Sequence, residues 1–535
     1  MKTSFKYISY FFLMILGLNL TLSSCTSDLD VTPKDDDEFL SETFFQDPAS
    51  YKQVLAKLYS GLYVGGNDGD NKPDIAGIGG DFSSYLRLLF VMQEFTTDEA
   101  IIAWADGTLP TLNTQTWAPA NEFLYGTYSR AFYEISLANE FLRQTSDDKL
   151  TSRGVDANLK AEIANFRAEA RFLRAFSYVN LMDLFGNVPI TTEKDPVGFF
   201  YPEQKSRAEV FAFIESELKD LDNSLVATKT NEYGRIDKTA AKFLLAKIYL
   251  NAKVYTGTER FNDAAKLSSD IIATSGYTFA NVPYKFLFSA DNNRNGAQNE
   301  VIFPVVSDGN AIRATGGGMS FILHASIGGS MDAAAQGMNG GWQGIRTRKE
   351  FVALFPDATA TADKRGTFYT SGQTLSIANV GTFTNGYAVT KYTNVNSDGT
   401  AAQRNDIPDT DFPMFRLSDV YLMYAECAVR GATGTDMTTA LGYINKLRTR
   451  ANASAVTTAN LTLNFILDER GRELFWECHR RTDLIRFGKF TGGDKIWEWK
   501  GGTQNGAATA SFRDLMPIPA KTIQANPTLK QNPGY

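Results

Sequence analysis

Six tryptophans stand in the 535-residue chain, and two of them, Trp104 and Trp342, lie in irregular, glycine-rich sequence. An indole presented from such a segment offers a large flat apolar face at small entropic cost, which suits the C–H side of a sugar ring. The competing reading is a packing aromatic. Trp117, Trp476 (inside an expected helix), Trp497 and Trp499 read that way. A sugar site also needs a few convergent polar groups. Asp81, Arg87, Asn339 and Gln343 are candidates, with Met338 beside them, although Arg87 reads equally well as half of a surface ion pair.

Other residue sets point to different chemistry. Glu469 and Glu473 lie one helical turn apart, a spacing compatible with the paired carboxylates of a glycosidase. Arg470, Arg472, Arg480 and Arg481 surround them, which predicts an ion-pair network with depressed carboxylates and no general acid. Asp409 and Asp411 alternate, and Asp291 could join them as hard oxygen ligands for a structural calcium ion. The same residues also make Asx turns. The two histidines, His324 and His479, have no metal-ligand spacing, and neither a nucleophile elbow nor a phosphate loop occurs.

Helices must position these groups. Apolar periodicity predicts helices near 50–63, 85–94, 121–146, 156–185, 206–224, 237–254, 262–275, 417–430, 437–450 and 463–478. The fourth stops at Gly186, followed by Pro189. Residues 237–275 and 416–450 read as helical hairpins, and 165–185 belongs to a third. They resemble tetratricopeptide units but are not contiguous, so stacking in simple chain order is not expected. Residues 277–415 are rich in Gly, Asn, Thr and Ser, with short β-prone runs such as 301–304 and one helix near 347–355.

The N-terminus carries Lys2 and Lys6, an apolar run over 11–20, and then Leu22, Ser23, Ser24 and Cys25. This is a secretory signal over 1–24 ending in a lipobox-like site, with Cys25 the expected lipidation point. Residues 25–45 form an acidic tether and 46–276 a helical part. Residues 277–535 complete a single body with it. The remaining cysteines, Cys427 and Cys478, sit in helical patterns, as free buried thiols or as one disulfide. No later apolar run is long enough to span a bilayer, so lipid has to supply the anchor. The net charge is −7, and it becomes more negative once the leader is removed. Nucleic acid is therefore excluded as a partner, since it needs clustered Lys and Arg.

Several ordered stretches resemble the SusD/RagB family of Bacteroidetes surface lipoproteins. They include residues 168–175, 184–189, 238–253, 412–426, 445–451, 469–474 and 481–487, then Pro517, Ile518 and Pro519, and the terminal 531–535. The resemblance covers nearly the whole mature chain. It implies a mostly α fold, in which tetratricopeptide-like helical hairpins pack against a loop-rich region with short strands. It also implies no catalysis. The family binds polysaccharides or oligosaccharides at the outer-membrane surface and passes them to a SusC-type TonB-dependent porin. Within the family the chain is similar to the starch-binding type. Trp104 and Trp342 match its stacking tryptophans, and Arg87 matches a polar sugar contact. Thr315 stands where that type has a tyrosine, Gly107 near its asparagine, and Gly79 near its aspartate with Asp81 close by. The expectation is a surface-exposed, lipid-anchored protein binding an α-glucan such as starch or a related neutral glycan. The alternative is a porin-capping protein with little glycan affinity of its own.

Overall fold

The computed structural model describes residues 41–66, 72–312 and 314–535. The signal segment, Cys25 and most of the 25–45 tether lie outside the described residues. The chain divides into two units, residues 1–50 and 51–535. Within the first, Ser41–Phe44 forms one helical turn.

Helices α1 (Ala49–Ser60), α2 (Tyr85–Glu94), α3 (Glu122–Gln144), α4 (Ala157–Phe185), α5 (Arg207–Ser224), α6 (Lys238–Leu250) and α7 (Phe261–Thr274) agree with the sequence periodicity to within a few residues. Local capping fixes their starts. The Asn121 side chain accepts from Phe123 N and Leu124 N, and Asp156 accepts from Asn158 N and Leu159 N. Ser206 and Glu209 close a capping box, and Asp237 accepts from Thr239 N and Ala240 N. Helix α4 ends on Gly186, whose φ of +74° lies where a side chain would be strained.

Past residue 277 the chain holds α8 (Gly318–Ser326), α9 (Leu417–Val429), α10 (Met437–Arg450), α11 (Leu463–Leu474) and α12 (Arg480–Arg486). The sequence hides α8. Gly316, Gly317 and Gly318 read as loop, and every residue of the helix is buried, so no polar face marks a period. Strand β1 (Ile101–Ile102) pairs antiparallel with β3 (Ile345–Arg346), and β2 (Val301–Val305) with β4 (Phe412–Arg416).

The helices pack α3 on α4, α4 on α5, α5 on α6, α6 on α7, α7 on α9, and α9 on both α10 and α11. The hairpins therefore do stack in chain order, against expectation. The 277–415 region leaves the stack and returns through the β2–β4 pair, and Arg416 runs straight into α9. Phe415 stacks on Phe243 of α6 at 4.4 Å and contacts Phe172 and Phe176 of α4, so the returning strand is seated on both helices.

A buried ionic layer joins the irregular region to the helices. Glu473 accepts from Arg416, Arg450 and Arg365 at 2.7, 2.6 and 3.2 Å, and Glu469 accepts from Arg365 and Arg448 at 2.8 and 2.9 Å. Helix α11 ends at Leu474, four residues before the expected 478. Trp476 and Cys478 adopt φ of +59° and +63°. Their backbone N–H groups are held by the buried carboxylates of Glu99 and Glu94 at 2.9 and 2.7 Å, which replace continued helical bonding. Cys427 and Cys478 are both free and buried, and burial pushes both thiols up.

Candidate functional site

The β1–β3 ladder brings together two segments far apart in sequence. Ile101 faces Arg346 and Ile102 faces Ile345, and the next residue, Ala103, donates its N–H to Gly344 O at 2.9 Å. Trp104 and Trp342 therefore emerge side by side. The Trp104 indole N–H donates to Trp342 O at 3.0 Å, and the two rings lie 6.2 Å apart at 47°. Close approach requires Gly344, because a Cβ there would sit 2.8 Å from the Trp104 indole.

Helix α8 supports both rings. Phe321 meets Trp104 edge-on at 6.0 Å. His324 stacks on Trp342 at 4.6 Å and 11°, and its carbonyl accepts the Trp342 N–H at 2.7 Å. One face of Trp342 is thus covered from within, while the residue keeps 36% of its surface exposed. Gln343, next in sequence, is exposed and left-handed at φ +54°.

Arg87 lies over the Trp104 ring at 5.9 Å but is itself buried, in contrast to the polar-contact role expected of it. It is 3% exposed, and its guanidinium lies over Phe82 and Phe321 at 4.2 and 4.1 Å. It donates to Asp81 O and Gly316 O at 2.9 and 2.5 Å. It thereby ties together the backbones that carry the exposed side chains of Asp81 and Thr315. Met338 is also misassigned as a lining residue, being 2% exposed in the core. Asn339 is exposed, with its N–H donated to Asn405 O at 2.7 Å. The structure thus gathers Trp104 and Trp342 directly, places Asn339 and Gln343 beside Trp342 in sequence and at the surface, and buries Arg87 and Met338. Phe321, His324 and Gly344 were not found from sequence. Nothing in their type or spacing signals that a helix hidden by its own burial underlies the tryptophans.

The platform is open. The larger hollows, of about 330 and 260 Å³, flank Tyr233, and none of their lining residues belongs to it. An open aromatic surface suits a segment of a polymer, whereas enclosed pockets suit small molecules.

The calcium expectation is corrected. Asp291 accepts from Ser289, Asn295 and Ser397, Asp409 from Gly309 N and Gln403, and Asp411 from Ser307 N and the Tyr233 hydroxyl. Oxygens facing N–H and O–H donors are turned away from a cation. No group of three metal-ligating side chains occurs among the described residues. Burial raises the Asp411 carboxyl to about 7. Glu469 and Glu473 behave in the opposite way. Burial alone would raise them, but the arginines around each outweigh it and hold both at about 2. They are wholly buried ion-pair partners, not a general acid and its counterpart.

Trp117, Trp476 and Trp497 are buried in the core. No helix among the described residues is long and apolar enough to cross a membrane.

Two family models match the chain: one described as "SusD family" over residues 323–535, and one described as "Starch-binding associating with outer membrane" over residues 29–250. The chain is 32% identical to the starch-binding protein SusD of Bacteroides thetaiotaomicron, over the full length of both. It is 25% identical to a SusD-like protein of Formosa agariphila, P25, over 92% of this chain and 94% of that one. Among solved structures, a SusD superfamily protein from Parabacteroides distasonis superposes with a TM-score of 0.70 at 22% identity. It covers 93% of this chain and 100% of its own. Surface glycan-binding protein A from Bacteroides thetaiotaomicron, solved in complex with laminarihexaose, gives a TM-score of 0.66 at 19% identity. It covers 90% of this chain and 98% of its own.

Proposed function

This chain belongs to the SusD family, and from that premise we propose that it is a non-enzymatic, surface-exposed glycan-binding lipoprotein of the outer membrane. It is anchored through Cys25 and hands its ligand to a SusC-type TonB-dependent porin. The observation that carries the reading is the Trp104–Trp342 platform. Two indoles from distant segments stand side by side, the Trp104 N–H donating to the backbone carbonyl of Trp342 and the rings backed by Phe321 and His324. Stacking on preordered aromatics needs little side-chain ordering on binding. The relative named as a starch-binding protein and the structural neighbour solved with laminarihexaose support a glycan as ligand. The 47° inclination of the rings favours a chain that curves, since a flat ribbon cannot lie against both. An α-glucan such as starch has that curvature.

Electrophoresis through native gels containing starch, laminarin or other neutral polysaccharides tests the proposal. Retardation in the starch gel is expected. Unaltered mobility in every gel would overturn it.

A second reading has one specific observation in its favour. Val197 and Phe199 are 78% and 85% exposed at a loop tip also carrying Tyr201, an apolar projection of the kind that contacts another protein. Under that reading the chain caps a porin without binding glycan strongly, and it would co-purify with the porin while passing unretarded through every polysaccharide gel.

A further inference from the structure

The polar hollow of about 260 Å³ beside Tyr233 takes no part in the platform. The loop from α5 to α6, the turn after α7 and the approach to β2 build it, and they contribute Lys229, Asn231, Tyr233, Tyr277, Gln298 and Asn299 to its lining. Its size suits one sugar ring better than a chain. The walls are tied down from behind. Tyr233 is 44% exposed, yet its hydroxyl donates at 2.8 Å to the buried carboxylate of Asp411, which also accepts from Ser307 N. Asp237 accepts from the Tyr277 hydroxyl at 3.0 Å and from Lys229 N at 2.7 Å while it caps α6. Lys229 is held in the left-handed region at φ +56°, a strained conformation for a lysine. Such strain persists only where surrounding bonds enforce it, and it concentrates at ligand sites.

The acids of the hollow are already matched. Glu232 pairs with Lys52 at 2.8 Å and with Arg235 at 3.2 Å, and Arg235 pairs also with Glu169 at 2.5 Å. Asp237 is filled by N–H and O–H donors. Lys229, by contrast, forms no ion pair among the described residues, and its ammonium lies 5.1 Å from the centre of the Tyr277 ring. Gln298 Oε1 accepts from Gly296 N and Asn299 Nδ2 donates to Gly296 O. That leaves Gln298 Nε2 as a donor and Asn299 Oδ1 as an acceptor without a partner among the described residues. The hollow thus offers an uncompensated cation, an amide donor, an amide acceptor and two phenol rings.

We infer that this hollow is a second ligand site, for the ring of a uronic acid: its carboxylate on Lys229, its hydroxyl groups on Gln298 and Asn299, and its C–H face on Tyr233. The inference stands apart from the glycan reading of the platform. The two surfaces share no residue, and a neutral α-glucan lacks the carboxylate that Lys229 would take.

Saturation-transfer NMR on the purified full chain, titrated with glucuronate, galacturonate and glucose, tests the inference. At least one uronate should bind saturably, with glucose about fivefold weaker, the effect of losing one charge pair. Lys229→Asn keeps a residue that tolerates the left-handed backbone and should lose the same factor. Tyr233→Ala should weaken binding about tenfold. Thermal melts check that both variants fold, and Lys229→Asn decides alone if Tyr233→Ala does not. The Trp104→Ala/Trp342→Ala variant should bind uronate as the wild type does. The methyl glycosides of the uronates separate two sources of the same chemistry. Binding of the free sugars alone marks a free uronic acid as the ligand, and equal binding of the glycosides marks the end of a chain; either supports the site. Absence of saturable uronate binding, glucose binding as tightly as the uronates, or unchanged binding in folded Lys229→Asn would overturn the inference. Loss of uronate binding in the double tryptophan variant would also overturn it, by placing the acid on the platform, and would leave the glycan reading standing.

Discussion

At the scale of single residues, the proposed binding surface is the two indoles, and their neighbours set the angle between them. Trp342→Ala or Trp104→Ala removes one stacking face and should weaken glycan binding by about tenfold, roughly 1.4 kcal/mol. Gly344→Ala makes a sharper test of geometry. The added methyl would enter the space of the Trp104 indole and break its hydrogen bond to Trp342 O. Calorimetry should show affinity falling severalfold, with a stability loss of about 1 to 3 kcal/mol from overpacking. Unchanged affinity in Gly344→Ala would show that the inclination of the rings does not matter. Residue type left Trp104 and Trp342 open between packing and sugar stacking, and the family resemblance singled them out; the structure places them side by side. The resemblance did not foresee the burial of Arg87, nor did sequence adjacency foresee that of Met338. Whether a polar or flexible side chain faces water depends on what packs over it, and the backbone carbonyls that capture Arg87 come from segments far apart in sequence.

At the scale of elements, a two-residue ladder and a buried ionic layer hold the loop-rich region in register. Glu473 touches three arginines. Glu473→Gln leaves buried positive charge uncompensated and should cost about 3 to 5 kcal/mol in denaturant unfolding. The pH dependence has a definite sign. The carboxyls of Glu469 and Glu473 are held at about 2, below the ordinary value of 4.5. Their contribution to stability is complete above pH 4.5 and is lost as pH falls toward 2. An acid melt should be steep in that window for the wild type and shallower for Glu473→Gln. Amphipathic α10, which buries only Ala440, Ile444 and Leu447, was legible from its first residue to its last, and α2 was read equally well although all of it is buried. Helix α8, also buried throughout, was illegible because Gly316, Gly317 and Gly318 at its start read as loop. The end of α11 was misplaced because its chain turns aside at Trp476 and Cys478 to meet Glu99 and Glu94, partners 377 and 384 residues away.

At the scale of the whole molecule, the helical hairpins form one stack because the β2–β4 pair returns the chain to it. Sequence spacing could not show this, since pairing of two fully buried five-residue strands leaves no alternation to read. The long excursion between β2 and β4 is what carries α8 and Trp342 to Trp104. Under the proposed anchoring through Cys25, Cys25→Ser should move the protein from the membrane fraction to the soluble fraction while leaving glycan affinity unchanged. The central claim is that the paired tryptophans are the glycan-binding surface. Its most direct test is titration calorimetry of maltoheptaose into the wild type and into the Trp104→Ala/Trp342→Ala double variant, with thermal melts confirming that both are folded. The account predicts saturable binding to the wild type and none detectable to the folded double variant. Equal affinity for both proteins would contradict it.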